Sequence, residues 1–94
     1  MNPPAITAPA ELCSSTARAW KERVARDITP LATETSVDLS KTRFIDSSGL
    51  GALLSLHKIL RTQGGILKLL NPSAAVTQLI ELTRLHRVFE IVHA

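Results

Sequence analysis

The run Ile66, Leu67, Lys68, Leu69, Leu70 constrains this chain most, being apolar at every position but one and fenced by Gly64-Gly65 before it and Asn71-Pro72-Ser73 after it. Five residues is strand length, and apolar residues at successive positions describe a strand covered on both faces, as in a parallel sheet packed by helices. The flanks agree. Gly64-Gly65 predicts a helix C-terminal turn that lets the chain reverse. Asn71-Pro72-Ser73 predicts the start of another helix, with Pro72 near its first turn and Ser73 as a cap, and Val76, Leu79, Ile80 and Thr83 mark that helix's buried stripe. Upstream, Val37-Asp38-Leu39 reads as a short strand and Lys41, Thr42 and Arg43 as a polar loop. Phe89, Ile91 and Val92 suggest a terminal strand. Strands alternating with helices over short loops imply an α/β fold, a small mixed but mostly parallel sheet with helices packed on it and right-handed crossovers.

The N-terminal third is less regular. Residues 1–9 form a proline-rich lead-in, and Pro3, Pro4 and Pro9 forbid a central strand, leaving room for short edge strands around residues 5–7 and 11–12. Ser14, Ser15 and Thr16 supply a helix N-cap, and Ala17, Trp20 and Val24 fall on one face of the helix that follows, with Trp20 as a core anchor. Pro30 and the cluster Thr33-Glu34-Thr35-Ser36 end that segment in a turn. At 94 residues the chain reads as one small domain, 1–94, with a single core.

The functional signal lies in Phe44-Ile45-Asp46-Ser47-Ser48-Gly49-Leu50-Gly51, where an apolar strand ends in a small polar turn and a helix begins at once. Asp46, Ser47 and Ser48 are all favoured at a helix start, where a side-chain oxygen accepts from an unpaired backbone N–H. Leu50, Leu53, Leu54 and Leu60 then recur at near-helical spacing, predicting a helix through Arg61. Ser47 is thereby placed at an open helix N-terminus. A phosphate there would meet positive backbone dipole and free N–H groups, worth roughly 0.3–2 kcal/mol for a negative charge.

Together with Val37-Asp38-Leu39-Ser40, Gly64-Gly65 and Asn71-Pro72-Ser73, this octet closely resembles the STAS domain, specifically the bacterial anti-sigma factor antagonists (anti-anti-sigma factors). The resemblance runs over residues 36–92 and weakly back to Ala10. In that family the serine directly after the aspartate is phosphorylated by an anti-sigma factor that is itself a serine kinase. Carried over, the acceptor is Ser47, with Ser48 the alternative. The resemblance implies a cytoplasmic interaction module that binds the kinase when Ser47 is unmodified, releasing a sigma factor for transcription, and lets go when Ser47 is phosphorylated. Its partner-binding turn comprises Asp46, Ser47, Ser48, Gly49, Leu50 and Gly51, continued by the exposed face of the next helix. Asp46 orients the serine or shapes the cap, Ser48 caps, and Gly49 and Gly51 admit the partner closely. Two alternatives share the fold: an accessory subunit docking on the ATPase of a lipid-transport ABC system, and a signalling-scaffold module. The chain also departs from the family. Pro9-Ala10-Glu11-Leu12 stands where a hairpin commonly ends in a Gly-Glu-Leu-like turn, so the first strand is shortened or missing and an open sheet edge invites homodimerisation. Arg84 stands where glycine is common, and a left-handed conformation there costs about 1 kcal/mol.

Other function classes fare poorly. The net charge of +3 and pI near 9.6 raise nucleic acid as a partner. Yet the cations are spread from Arg18 to Arg87, and one Trp, two Phe and no Tyr provide no base-stacking platform. A nucleophilic serine needs a base, and His57, His86 and His93 have no sequence relation to Ser47 that recommends one. Asp38 does not pair with Asp46 for acid–base work, since alternation along its strand turns it aside. Cys13 and the histidines make no metal-ligand pattern, and Cys13 reads as a half-buried small apolar residue. No catalytic residue, metal or cofactor is expected. Nor does any apolar run reach the length of a membrane span, or the N-terminus resemble a signal peptide, so the expected location is the cytoplasm.

Overall fold

The computed structural model describes residues 5–28 and 33–93. Its elements run β1 (Ile6–Thr7), β2 (Glu11–Leu12), α1 (Ala17–Asp27), β3 (Glu34–Asp38), β4 (Phe44–Ile45), α2 (Ser47–Thr62), β5 (Ile66–Leu70), α3 (Ala74–Leu82), a 3-10 turn at Leu85–Arg87, and β6 (Glu90–Val92). Four strands form one sheet in the order β1-β3-β5-β6, while β2 and β4 pair separately. The α/β class is as expected, and every pairing among the described residues is parallel. The first strand is shortened rather than missing: Ile6 and Thr7 pair with Val37 and Asp38. Pro3, Pro4 and Pro30 lie outside the described residues.

Helical periodicity decides the core. Leu53, Leu56 and Leu60 of α2 are fully buried, as are Val24 of α1 and Leu67, Leu69 and Val37 of the sheet. Truncating any such leucine to alanine costs about 2–5 kcal/mol through lost transfer energy and the cavity left behind. Trp20 anchors α1 as expected, and its Nε1 donates to the Thr7 carbonyl at 3.3 Å. Helix α2 stops where the glycines require: Gly64 takes φ 75°, its N–H donates to Arg61 O at 3.1 Å, and Gly65 N–H donates to Leu60 O at 2.7 Å. These are the two bonds of a Schellman turn, which satisfy carbonyls the helix end leaves unpaired.

Several expectations need correction. Strand β5 is covered on one face only. Leu67 and Leu69 are buried, but Ile66 is 46% exposed and Lys68 and Leu70 are half-buried, because α1 and α2 pack together on one side while α3 goes to β4. Lys68 uses the open face, with its Nζ 3.0 Å from Glu34 on β3 and 4.0 Å from Glu90 on β6. The cluster at residues 33–36 is not a turn. Glu34 to Ser36 belong to β3, where pairing with β5 outweighs their weak local preference for a turn. Thr16 occupies the N-cap position of α1 without a side-chain cap. Its Oγ1 instead donates to Glu11 O at 2.7 Å and accepts from Cys13 N at 3.0 Å, sealing the β2–α1 turn. Thr42 is no simple loop residue either, since it is buried and donates to Pro9 O at 2.8 Å. Pro72 precedes the cap, and Ser73 accepts from Val76 N at 3.2 Å. Thr83 lies at the exposed C-cap of α3 rather than in its buried stripe. Among the described residues no helix is long and apolar enough to cross a membrane.

Candidate functional site

The strands β2 and β4 run parallel, Glu11 beside Phe44 and Leu12 beside Ile45. Their carboxyl ends therefore open side by side into two turns, one feeding α1 and the other α2. Such ends are where open α/β architectures place their sites.

Asp46 closes the second turn. Its backbone is extended, at φ −120° and ψ −169°, and its side chain accepts from Gly49 N, with Oδ1 at 3.0 Å. Its own N–H donates to Leu12 O at 3.3 Å and its carbonyl accepts from Leu50 N at 2.9 Å. This identifies Asp46 as the cap of α2, one of the two roles expected of it. The capping expected of Ser48 is thereby taken: Ser48 is the second helical residue, two positions past the cap. The other carboxylate oxygen, Oδ2, accepts from Ser14 N at 3.2 Å, joining the two turns across 32 residues of sequence.

Ser47 is the first helical residue and is exposed. Among the described residues its hydroxyl has no hydrogen-bond partner, and neither its N–H nor that of Ser48 has an acceptor. These are the orphan donors of a helix start, at its positive dipole end. No hydrogen bond joins that hydroxyl to a base among the described residues; the Asp46 oxygens accept instead from the backbone N–H groups of Ser14 and Gly49.

The six residues of the expected partner-binding turn divide by burial. Gly49 and Leu50 point inward, Leu50 being only 7% exposed. A Cβ on Gly49 would sit on the Leu12 carbonyl oxygen and 2.7 Å from Ile45 Cγ1, so this glycine admits β2 of its own domain. Gly51 is exposed, with nothing within 4 Å of a Cβ built on it. Asp46, Ser47, Ser48 and Gly51 remain as the reachable part of the turn.

The expected partner-binding turn left out two neighbours. Phe44 is 51% exposed beside the turn, as period-two alternation from buried Ile45 requires. The Ser14 turn was the other, and its signal was the same strand-polar-helix punctuation that marks Ser47. Cys13 in that turn is half-buried, as expected, with Sγ 3.3 Å from Ser15 Oγ and 3.8 Å from Thr16 Oγ1. The Ser15 hydroxyl is the main influence holding the thiol below its ordinary range, against burial and the Asp46 charge.

The remaining candidates serve other ends. Asp38 accepts from Ser40 N at 2.9 Å, and this bond holds its carboxyl below the usual range. His57 meets the Phe89 ring edge-on, centroids 6.0 Å apart. His86 and His93 are exposed. Among the described residues, no three His, Cys, Asp or Glu side chains gather where they could hold a metal ion.

Comparison with known proteins gives a consistent picture. A family model, the STAS domain, matches residues 2–94. The crystal structure of TM1081, a candidate anti-sigma factor antagonist of Thermotoga maritima, is 26% identical with a TM-score of 0.82, over 93% of this chain and 75% of that one. Its NMR structure gives 0.80 over 94% and 71%. The anti-sigma factor antagonist SpoIIAA in its unphosphorylated form shares the fold, with a TM-score of 0.79 at 24% identity over 94% of this chain and 76% of that one. No curated protein matches the chain by sequence.

Proposed function

Because the chain belongs to the STAS domain family, we propose that it is an anti-sigma factor antagonist that works as a phosphorylation-switched interaction module. With Ser47 unmodified it binds a serine-kinase anti-sigma factor through Asp46, Ser47, Ser48 and Gly51 and the exposed face of α2, and a sigma factor is released. The kinase then transfers a phosphoryl group from a nucleoside triphosphate to Ser47 Oγ. The bond to the diphosphate breaks, and the hydroxyl proton goes to a base on the kinase. The observation that carries this reading is Ser47 itself, an exposed hydroxyl at the first position of a 16-residue helix, next to a capping aspartate. The likeness to TM1081 supports it.

The modification adds about two negative charges to a surface matched to a hydroxyl. A cost of about 1.4–2.8 kcal/mol is enough to weaken binding ten- to a hundredfold. Such a switch acts in the cytoplasm on other proteins and needs no cofactor. Strand addition by a second copy at the sheet edge that the two-residue β1 leaves short is the assembly this reading allows, and sedimentation velocity showing a dimer or only a monomer decides it.

A pull-down from native lysate with wild-type and Ser47→Asp baits, read by mass spectrometry of captured proteins and of bait, tests the switch. The expected result is an anti-sigma kinase on wild type only, with phosphate on Ser47 in part of the bait. Capture of an ABC ATPase, or equal capture by both baits with no phosphate on Ser47, would overturn it.

A further inference from the structure

A single carboxylate holds the two strand-to-helix turns together. Asp46 Oδ1 caps α2 through Gly49 N at 3.0 Å, and Oδ2 accepts from Ser14 N at 3.2 Å, in the turn that also carries Cys13 and Ser15. From this shared carboxylate we infer that modification of Ser47 is transmitted through Asp46 to the β2–α1 turn, a phosphate on Ser47 releasing the Asp46 carboxylate from Ser14. The inference rests on the proposed phosphorylation of Ser47.

The two bonds of Asp46 are unequal. The bond to Gly49 closes within three residues, is partly buried, and is reinforced by the Leu50 N–H donating to the Asp46 carbonyl at 2.9 Å. The bond to Ser14 is longer, exposed, and spans 32 residues of chain. A phosphate on the adjacent Ser47 takes up the free N–H groups of Ser47 and Ser48 at the helix mouth. It thereby places a dianion beside the carboxylate, and like charges at such separations repel. The carboxylate relieves that repulsion by surrendering the weaker, more exposed bond. Among the described residues no other hydrogen bond holds Ser14. Thr16 Oγ1 pins the turn at Glu11 O and Cys13 N, through bonds that do not involve Asp46. A partner that reads both turns would then meet a changed surface at two places after one modification.

Amide hydrogen exchange by NMR on the full chain tests this, with phosphoserine installed at position 47 during synthesis so that no kinase is involved. The expected result is that Ser14 N–H exchanges roughly tenfold faster than in wild type, the scale of one hydrogen bond to a charged acceptor, while Gly49 N–H changes less than about twofold. Asp46→Asn provides the second arm. Asn remains a good N-cap, with its carbonyl oxygen accepting from Gly49, but its NH2 cannot accept from Ser14. In this variant Ser14 exchanges fast already, and phosphoserine at 47 adds nothing. Unchanged or slower Ser14 exchange in the phosphorylated wild-type chain overturns the inference, as does an equal phosphate effect in Asp46→Asn. Failure of the kinase reading would show instead in the pull-down, as absence of phosphate on Ser47.

Discussion

Gly49 and Gly51 lie two residues apart in the same helix, and the same substitution should move stability in opposite directions. Alanine in place of an exposed helical glycine gains roughly 0.8–1 kcal/mol from backbone entropy. At Gly51 nothing opposes that gain, because no atom lies within 4 Å of a new Cβ. At Gly49 the new Cβ meets the Leu12 carbonyl oxygen and Ile45 Cγ1, and the carbonyl belongs to the backbone of β2, so no flexible side-chain end can yield. Helix α2 must move off β2 instead. That strains the Asp46 N–H bond to Leu12 O and the Asp46 cap that depends on it. Overpacking costs about 1–3 kcal/mol and a weakened cap about 1 kcal/mol, which together outweigh the helix gain and leave Gly49→Ala destabilised by about 1–3 kcal/mol. At about 4–8 °C per kcal/mol for a domain of this size, Gly51→Ala should melt about 4–8 °C above wild type and Gly49→Ala at least about 4 °C below it. Thermal unfolding followed by circular dichroism on the three proteins is sufficient. If Gly49→Ala matched or exceeded wild type, the close approach of α2 to β2 would be refuted, and with it the assignment of Gly49 to internal packing.

Two further substitutions probe places where local preference was overridden. Arg84 holds a left-handed conformation at φ 62°, so Arg84→Gly should stabilise by about 0.5–1 kcal/mol once the extra freedom of glycine in the unfolded chain is subtracted; a lower melting temperature would contradict the strain argument. The hydrogen bond that the Lys68 ammonium donates to Glu34 is the chief cause raising it above its ordinary range, with Glu90 adding to the effect. A raised folded pKa means a contribution fully present below the unfolded value of about 10.4 and lost as pH climbs through the folded one. Urea unfolding between about pH 9 and 12 should therefore show wild type losing stability more steeply than Lys68→Met, and parallel curves would remove the ion pair as a contributor.

What the sequence determined is what short-range chemistry determines. The order of strands and helices follows from local periodicity and punctuation, and the octet at residues 44–51 announces a strand, a cap and a helix within eight positions. The Schellman turn at Gly64-Gly65 was equally legible, because backbone conformation there depends on neighbours three or four residues away, whereas the left-handed Arg84 was expected only from the resemblance, which has glycine at that position. Contacts between distant segments were not legible. That β5 is covered on one face only depends on where α1, α2 and α3 settle, which no window of sequence around Ile66 contains. Thr35 and Ser36 look like turn residues until β3 lies between β1 and β5. Gly49 looks like an opening for a partner until β2, nearly 40 residues earlier, brings the Leu12 carbonyl against it. The bond from Ser14 to Asp46 belongs to the same class: two polar turns that each look self-sufficient become one site only because parallel pairing of β2 with β4 brings their ends together.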